Sequence, residues 1–314
     1  MSKLGLGCWG LGGDAYGSID DNLSKNLIYK AIDSGIDFFD TSPTYGFGKS
    51  EERLGKYLPK NDDLIIATKV GMIAHTGTDV PLNFTQKSIE DSLDQSLIRL
   101  NIESIPIVQL HSPMVNYKIL FPDIFETLDI LTKKGKVKKW GISIAKPNQF
   151  ANLENDWKWA SIEFNFSLID QRILEYEHQC KKYNGILIAR TPLNFGFLTK
   201  HSNSINMIKD PKSHLSKWSK LQINKWIFAT IEMRKLSEKL GRSLTELAIR
   251  FTLDNGLIEY SIPGAMNSNE LEENINASKA KPLSSDEMIE IYSVYKNLES
   301  NLNLISPFKD IVIT

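Results

Sequence analysis

The sequence predicts a single (β/α)8 barrel spanning residues 1–314. Eight short apolar runs have strand character, amphipathic helical segments lie between them, and the chain length suits one such barrel of about 250 residues plus insertions. Strands that alternate with helices are parallel strands joined by helical crossovers, because a parallel pair cannot be closed by a tight hairpin.

In chain order the strand candidates are KLGLG (3–7), IDFFD (36–40), LIIATK (64–69) and IPIVQLH (105–111). VKKWGIS (137–143), WASIEFN (159–165), GILIAR (185–190) and IEYSIP (258–263) follow. Segments 22–34, 86–100, 123–134, 171–183 and 243–255 repeat apolar residues at helical spacing, as Ile124, Leu128 and Leu131 do. The stretch 191–242 after the seventh strand is far longer than a βα loop of about 2–6 residues, so it is a candidate lid or cofactor strap. Residues 283–297, with Met288, Ile291 and Tyr292 and then Leu298 just beyond on a helical period, predict an extra helix on the barrel exterior. Residues 300–314 carry no readable pattern.

Composition narrows the functional classes. Hydrophobic residues make up 41% of the chain, enough for a large core, and no apolar run approaches the roughly 20 residues of a membrane span. The N-terminus MSKLGLGCWG lacks the regions of a signal peptide, so a cytoplasmic setting is expected. Cys8 and Cys180 are far apart and make no ligand pair with a histidine, so no metal site is expected. The formal net charge of −1 and the dispersed lysines argue against nucleic acid as a partner. The one basic run, KKGKVKK at 133–139, reads as a helix C-terminus with its glycine stop.

Four residues stand at or just past strand ends: Asp40, Tyr45, Lys69 and His111. In a barrel these positions share one face, where active sites are built. Together they make a proton-transfer set for a carbonyl. Tyr45 is the candidate general acid, but an ordinary phenol with a pKa near ~10 holds its proton too tightly at neutral pH. Lys69 would lower it, Asp40 would keep Lys69 charged and aimed, and His111 would hydrogen-bond the same substrate oxygen. His75, in the loop MIAHTGTDVPLNF, reads as a solvated loop residue.

With these four in register, and with FDTSPTYGFGKSEERLGKYL around the first two, the chain resembles the aldo-keto reductases over nearly its whole length. The resemblance implies carbonyl reduction by a nicotinamide cofactor, with NADP(H) expected over NAD(H), and a small-molecule carbonyl substrate. Relatives commonly begin with a hairpin plugging the barrel, whereas here the GLG strand motif starts at residue 5, so the plug is expected to be missing. The glycines of GLGCWGLGG lack the following helix of a dinucleotide-binding turn and read as the first strand and its loop.

By resemblance, Gly7, Cys8 and Trp9 line the nicotinamide end, and Asp40 borders it. Ser143 bonds the carboxamide, but the asparagine usually following it is Ile144. Ser161 stands where a glutamine is usual. In RTPLNFGFL the residues Arg190, Thr191, Pro192, Leu193, Asn194 and Gly196 match a cofactor segment whose first residue is usually an aromatic ring. Arg190 could stack on the nicotinamide by its flat guanidinium and disfavour the cationic oxidised form, or it could simply pair with a nearby carboxylate. In SIPGAMNSNELEEN, Gly264, Glu273 and Asn274 match the segment holding the adenosine phosphate at a helix N-terminus. Met266 replaces the usual cation there and Glu270 a usual glutamine, so Lys200 or Lys209 would have to compensate toward a 2′-phosphate.

Trp9, Tyr16, Tyr45, the MIAHTGTDVPLNF loop and the segment after His111 are expected to wall the substrate site, suiting a sugar or a small aldehyde. A redox-neutral sugar-modifying enzyme and a cofactor-sensing regulatory subunit are the competing readings; the intact His111 favours the reductase over the latter.

Overall fold

The computed structural model describes residues 3–61, 63–73, 81–153, 158–199, 214–302 and residue 304. His75, Lys200, Lys209 and the segment 305–314 lie outside the described residues. Nine parallel strands form one sheet: β1 (Lys3–Leu4), β2 (Leu6–Gly7), β3 (Phe38–Asp40), β4 (Ile65–Val70), β5 (Ile105–His111), β6 (Val137–Ser143), β7 (Ser161–Asn165), β8 (Ile186–Arg190) and β9 (Tyr260–Ile262). The order β1-β9-β8-β7-β6-β5-β4-β3-β2 curls into a nearly closed barrel, as the alternation of strand and helix predicts.

Nine strands replace the expected eight because the run 3–7 is divided. Lys3 pairs with Tyr260 of β9, while Gly7 pairs with Asp40 of β3. Gly5 sits between the halves, where a Cβ would lie 3.0 Å from Ile262 and 3.1 Å from the Phe38 carbonyl oxygen. The chain therefore changes partner at a crowded glycine and joins β9 to β3.

Strand alternation decides what faces the barrel axis. The lower interior is an apolar layer of Phe38, Ala67, Ile107, Ile188, Tyr260 and Ile262, a cluster separate from the main core. Two residues further along the same strands, that face carries Asp40, Lys69, Gln109 and Arg190. The main core lies outside the sheet, where Phe39, Val108, Leu110, Ile142, Ile162 and Phe164 meet the helices.

The surrounding helices are α1 (Asp21–Asp33), α2 (Lys49–Tyr57), α3 (Gln86–Leu100), α4 (Tyr117–Leu120) and α5 (Ile124–Lys133). α6 (Glu177–Lys182), α7 (Lys220–Lys239), α8 (Leu244–Asp254), α9 (Ser268–Lys279) and α10 (Ser285–Leu302) complete the set. Asp20, Ser219 and Ser243 cap α1, α7 and α8 by accepting the backbone N–H three residues on, each such cap contributing about 1 kcal/mol. The basic run serves α5 as expected: Gly135 takes φ +75° just past the helix, and Lys134 and Lys136 pair with Glu90 and Asp94 of α3.

The long stretch after β8 carries an element that the sequence pattern does not show. It contains the 20-residue helix α7, which buries Ile223, Trp226, Met233 and Leu236. Leu221, Phe228 and Ile231 are large apolar residues on its exposed face, and they blur the stripe that would have revealed it.

The extra C-terminal helix is present as α10, with Ile291, Tyr295 and Leu298 buried. It is clamped by Arg242 in the turn between α7 and α8. That guanidinium donates to Glu287 at 2.7 Å, to Glu246 at 2.6 Å and to the Lys281 carbonyl at 2.8 Å. The Arg242 hydrogen bond lowers the Glu287 carboxyl from 4.5 to about 2. Because the folded value is depressed, this stabilisation is present above pH 4.5 and is lost as pH falls toward about 2. Glu287→Gln is expected to lower the thermal midpoint at pH 7, and the gap from wild type should shrink as melts are run at progressively more acidic pH; a gap that stays constant would contradict the clamp.

Gly46, with φ +60°, lies directly after Tyr45 and against Gly12, whose carbonyl a Cβ on Gly46 would strike. This contact joins the loop after β2 to the loop after β3. Gly46→Ala should therefore displace Tyr45 and lower turnover by an order of magnitude or more, with the circular-dichroism spectrum kept; wild-type turnover in that variant would show that the contact does not position Tyr45.

Candidate active site

The candidate site lies at the C-terminal ends of β3 to β8, built from side chains that alternation turns inward. Lys69 on β4 is fully buried, and its Nζ donates to Asp40 Oδ1 at 2.5 Å and to the Thr41 carbonyl at 3.1 Å. Burial alone would lower the Lys69 pKa, but the charges of Asp40 and then Glu163 outweigh it and hold the ammonium protonated. Tyr45 is 9% exposed, with Lys69 Nζ 5.4 Å from its ring centre. His111 ends β5, its ring centre 6.4 Å from that of Tyr45, and its Nδ1 is 3.3 Å from Ser42 Oγ. The four residues expected to meet are thus brought together by adjacent strands and one loop.

Two electrostatic features differ from the sequence-based expectation. Tyr45 does not come out below an ordinary phenol: burial pushes it well up, and the lowering by Lys69 and, more weakly, Arg190 is the smaller effect. Asp40 is also pushed well above the usual carboxylate range, first by burial and then by Glu163, against the pull of Lys69. Both shifts trace to a dry site holding a second carboxylate.

That carboxylate, Glu163 on β7, was not singled out from the sequence. It is 1% exposed. Its Oε1 accepts from Ser143 Oγ at 3.0 Å, and its Oε2 lies 3.5 Å from Lys69 Nζ. The signal was available: Glu163 is two residues past Ser161, so both face inward with Asn165. Gln109 was missed for the same reason; its Nε2 donates to Ser161 Oγ at 3.5 Å. Ser161 itself sits deeper, paired in register with Gly141, where it replaces the longer expected amide with a short hydroxyl.

Arg190 ends β8. Its Nη2 donates to the Ile144 carbonyl at 2.9 Å, and its Nε stands 3.9 Å from Glu163 Oε1, so its plane is held and its charge answered by a carboxylate. Thr191 follows at φ +54° and donates to Asn165 Oδ1 at 3.1 Å. Pro192 and Leu193 are buried in the turn, Asn194 and Phe195 also have positive φ, and Gly196 closes the turn at φ +90°. Ser112, immediately after His111, has φ +49°. Non-glycine residues in this region each cost on the order of 1–3 kcal/mol, and here they directly follow the strands that present the site.

Over Tyr45 lies an aromatic box. Trp9 stacks on it with centres 5.8 Å apart, and His214 sits 4.8 Å from Trp9, 4.7 Å from Tyr16 and 4.8 Å from Phe195. His214 is tied to the loop after β2 by its backbone N–H, which donates to the Ala15 carbonyl at 2.9 Å. Nothing in the sequence marked His214, because no local pattern links it to residue 15. Cys8 is buried beneath this loop and its thiol is pushed up by burial.

At the barrel seam, Gly7 and Gly264 form a parallel bridge. Met266 folds back so that a Cβ on Gly10 would come within 2.6 Å of its sulfur. Glu270 accepts the Met266 backbone N–H at 2.8 Å and the Asn267 amide at 2.8 Å, filling the turn that opens α9. Asn274 donates to the Gly264 carbonyl at 3.1 Å, and Glu273 accepts from Thr245 on α8, so both brace the turn.

The residues present fit a nicotinamide dinucleotide at the β8 side. Arg190 Nε and Asn194 Nδ2 are buried donors with no hydrogen-bond partner among the described residues, which suits an acceptor-rich ligand. Among the described residues no group of three or more His, Cys, Asp or Glu could hold a metal ion, and no helix is long and apolar enough to cross a membrane.

Comparisons with known proteins agree with this fold. Aldo-keto reductase YhdN of Bacillus subtilis is 27% identical over 311 residues, covering 96% of this chain and 92% of that protein. L-galactose dehydrogenase of Arabidopsis thaliana is 26% identical and covers 88% of this chain and 84% of that protein. Among solved structures, aldo-keto reductase AKR11C1 from Bacillus halodurans in its holo form superposes with a TM-score of 0.76 at 23% identity, covering 93% of this chain and 91% of that one. Glycerol dehydrogenase AKR11B4 from Gluconobacter oxydans gives 0.73 at 25% identity, covering 99% and 94%. The profile described as the aldo/keto reductase family matches residues 3–296, and the chain belongs to that family of nicotinamide-dependent oxidoreductases acting on carbonyls.

Proposed function

We propose that the protein reduces an aldehyde or ketone, sugars and sugar derivatives included, to the alcohol, with Tyr45 as general acid. The observation that carries this reading is the buried meeting of Tyr45 with Lys69, Asp40 and His111. A nicotinamide dinucleotide, when bound, supplies the hydride. Tyr45 gives its hydroxyl proton to the carbonyl oxygen as negative charge develops there. Lys69 beside the ring stabilises the tyrosinate left behind, which matters more in a buried site than it would in water. Asp40 holds Lys69 in place, and His111 offers a hydrogen bond to the same oxygen. Trp9, Tyr16, Phe195 and His214 exclude water and present flat faces to the substrate, a lining compatible with a polyhydroxy carbonyl.

For the cofactor, Ser143, Arg190 and Asn194 would hold the nicotinamide side and the turn before α9 the adenosine side. Resemblance favours NADP(H), yet Glu270 sets a carboxylate in that turn, bonded to Met266 N–H, where a 2′-phosphate would meet like charge. Arg190 keeps the flat cation proposed to face the nicotinamide, with Glu163 offsetting its charge.

Tyr45→Phe should retain dinucleotide binding, followed by quenching of tryptophan fluorescence, while losing at least about a thousandfold in kcat; near-normal turnover would remove Tyr45 from the role. Glu270→Gln should raise NADPH affinity by about fivefold through relief of one repulsive contact and leave NADH affinity unchanged, and equal gains for both would contradict the placement.

A further inference from the structure

Glu163 has no part in the proton-transfer set read from the sequence, yet it touches both ends of the site. It faces four elements: Lys69 on β4 at 3.5 Å, Ser143 on β6 at 3.0 Å, Arg190 on β8 at 3.9 Å, and the Asp40 carboxyl on β3, which its charge raises. At 1% exposure, a carboxylate serving only to fill space would be replaced at no loss by an apolar side chain. Two cations, the Glu163 carboxylate and the Asp40 carboxyl share one dry volume, and Tyr45 lies beside them.

We propose that Glu163 is a positioning residue of the acid, dividing its charge between Lys69 and Arg190 and so setting how much positive potential reaches Tyr45. The proposal rests on the reading of Tyr45 as the proton donor. Among the described residues, the charged and titratable groups around Tyr45 include Asp40, Lys69, His111, Glu163 and Arg190, with Tyr16 and His214 in the aromatic cover beside them. Burial opposes ionisation of Glu163, but Lys69 and then Arg190 outweigh it and keep its carboxyl charged. The consequence is a link between the two sides of the site. A change in the charge facing Arg190 alters how Glu163 is shared, and thereby the ease with which Tyr45 releases its proton.

The sign follows from the charges. Removing the carboxylate leaves both cations less compensated, favours tyrosinate and lowers the pH at which Tyr45 ionises; removing the Arg190 cation does the reverse. A purely structural Glu163 would change stability and leave that pH where it was.

The test is an ultraviolet titration of the cofactor-free protein carrying a fluorinated tyrosine at position 45, whose more acidic phenol offsets the upward push of burial and ionises while the barrel is still folded. Each variant is paired with its Tyr45→Phe counterpart, so that the difference isolates Tyr45. Glu163→Gln is expected to move the midpoint down by about one pH unit, Glu163→Asp to stay near wild type, and Arg190→Leu to move it up. A Glu163→Gln protein whose Tyr45 ionises no earlier than wild type overturns the proposal. If circular dichroism shows Glu163→Gln unfolded, Arg190→Leu decides, and a midpoint that fails to rise overturns it equally. Failure of the underlying reading is distinguishable: reduction of 4-nitrobenzaldehyde by Tyr45→Phe would reject Tyr45 as the acid while the titration still reports on Glu163.

Discussion

The structure of the site depends on one buried ammonium. Lys69 is wholly shielded from water, and a lone ammonium there would lose its proton or keep the barrel mouth wet. Asp40 at 2.5 Å and Glu163 at 3.5 Å make the charge tolerable. Deleting one partner of such a pair typically costs about 3–5 kcal/mol, because the other charge is stranded. The second carboxylate in turn calls for Arg190 and Ser143, so the arrangement extends from β3 around to β8. Tyr45 takes its character from this set, not from Lys69 alone.

The barrel supplies what such a set needs. Its interior is graded, with an apolar layer that includes Phe38, Ala67 and Ile188 below and Asp40, Lys69 and Arg190 two residues above on the same strands. The lower layer is a rigid, low-dielectric floor that strengthens the ion pairs resting on it. The upper ends hand over directly to loops held in left-handed conformations at Ser112 and Thr191, which turn the chain away as soon as His111 and Arg190 have been presented. Loop meets loop through the Gly12–Gly46 approach and through His214 on Ala15, so the aromatic cover over Tyr45 is attached to two segments distant in sequence.

Legibility followed the range of the interaction. Strands with dense apolar character, such as IPIVQLH and GILIAR, were readable because burial on both faces leaves little choice of residue. Helix α7 was not, since Leu221, Phe228 and Ile231 place apolar side chains toward solvent and hide its period. Glu163 lay in a strand already identified, yet its role needed the register that sets Ser143 opposite it. Glu270 was legible as an unfavourable charge but not as the group that caps the Met266 amide, which depends on how the turn before α9 folds.

The sequence by itself determined the barrel, its strands and the four residues Asp40, Tyr45, Lys69 and His111, because alternation, strand length and a compact motif are local properties. Only the tertiary structure decided the electrostatics: the net upward shift of Tyr45, the pairing of Arg190 with Glu163 and the closure of Trp9, Tyr16 and His214 over Tyr45. Burial and charge are sums over neighbours from six strands and two loops, and no stretch of sequence contains those neighbours together.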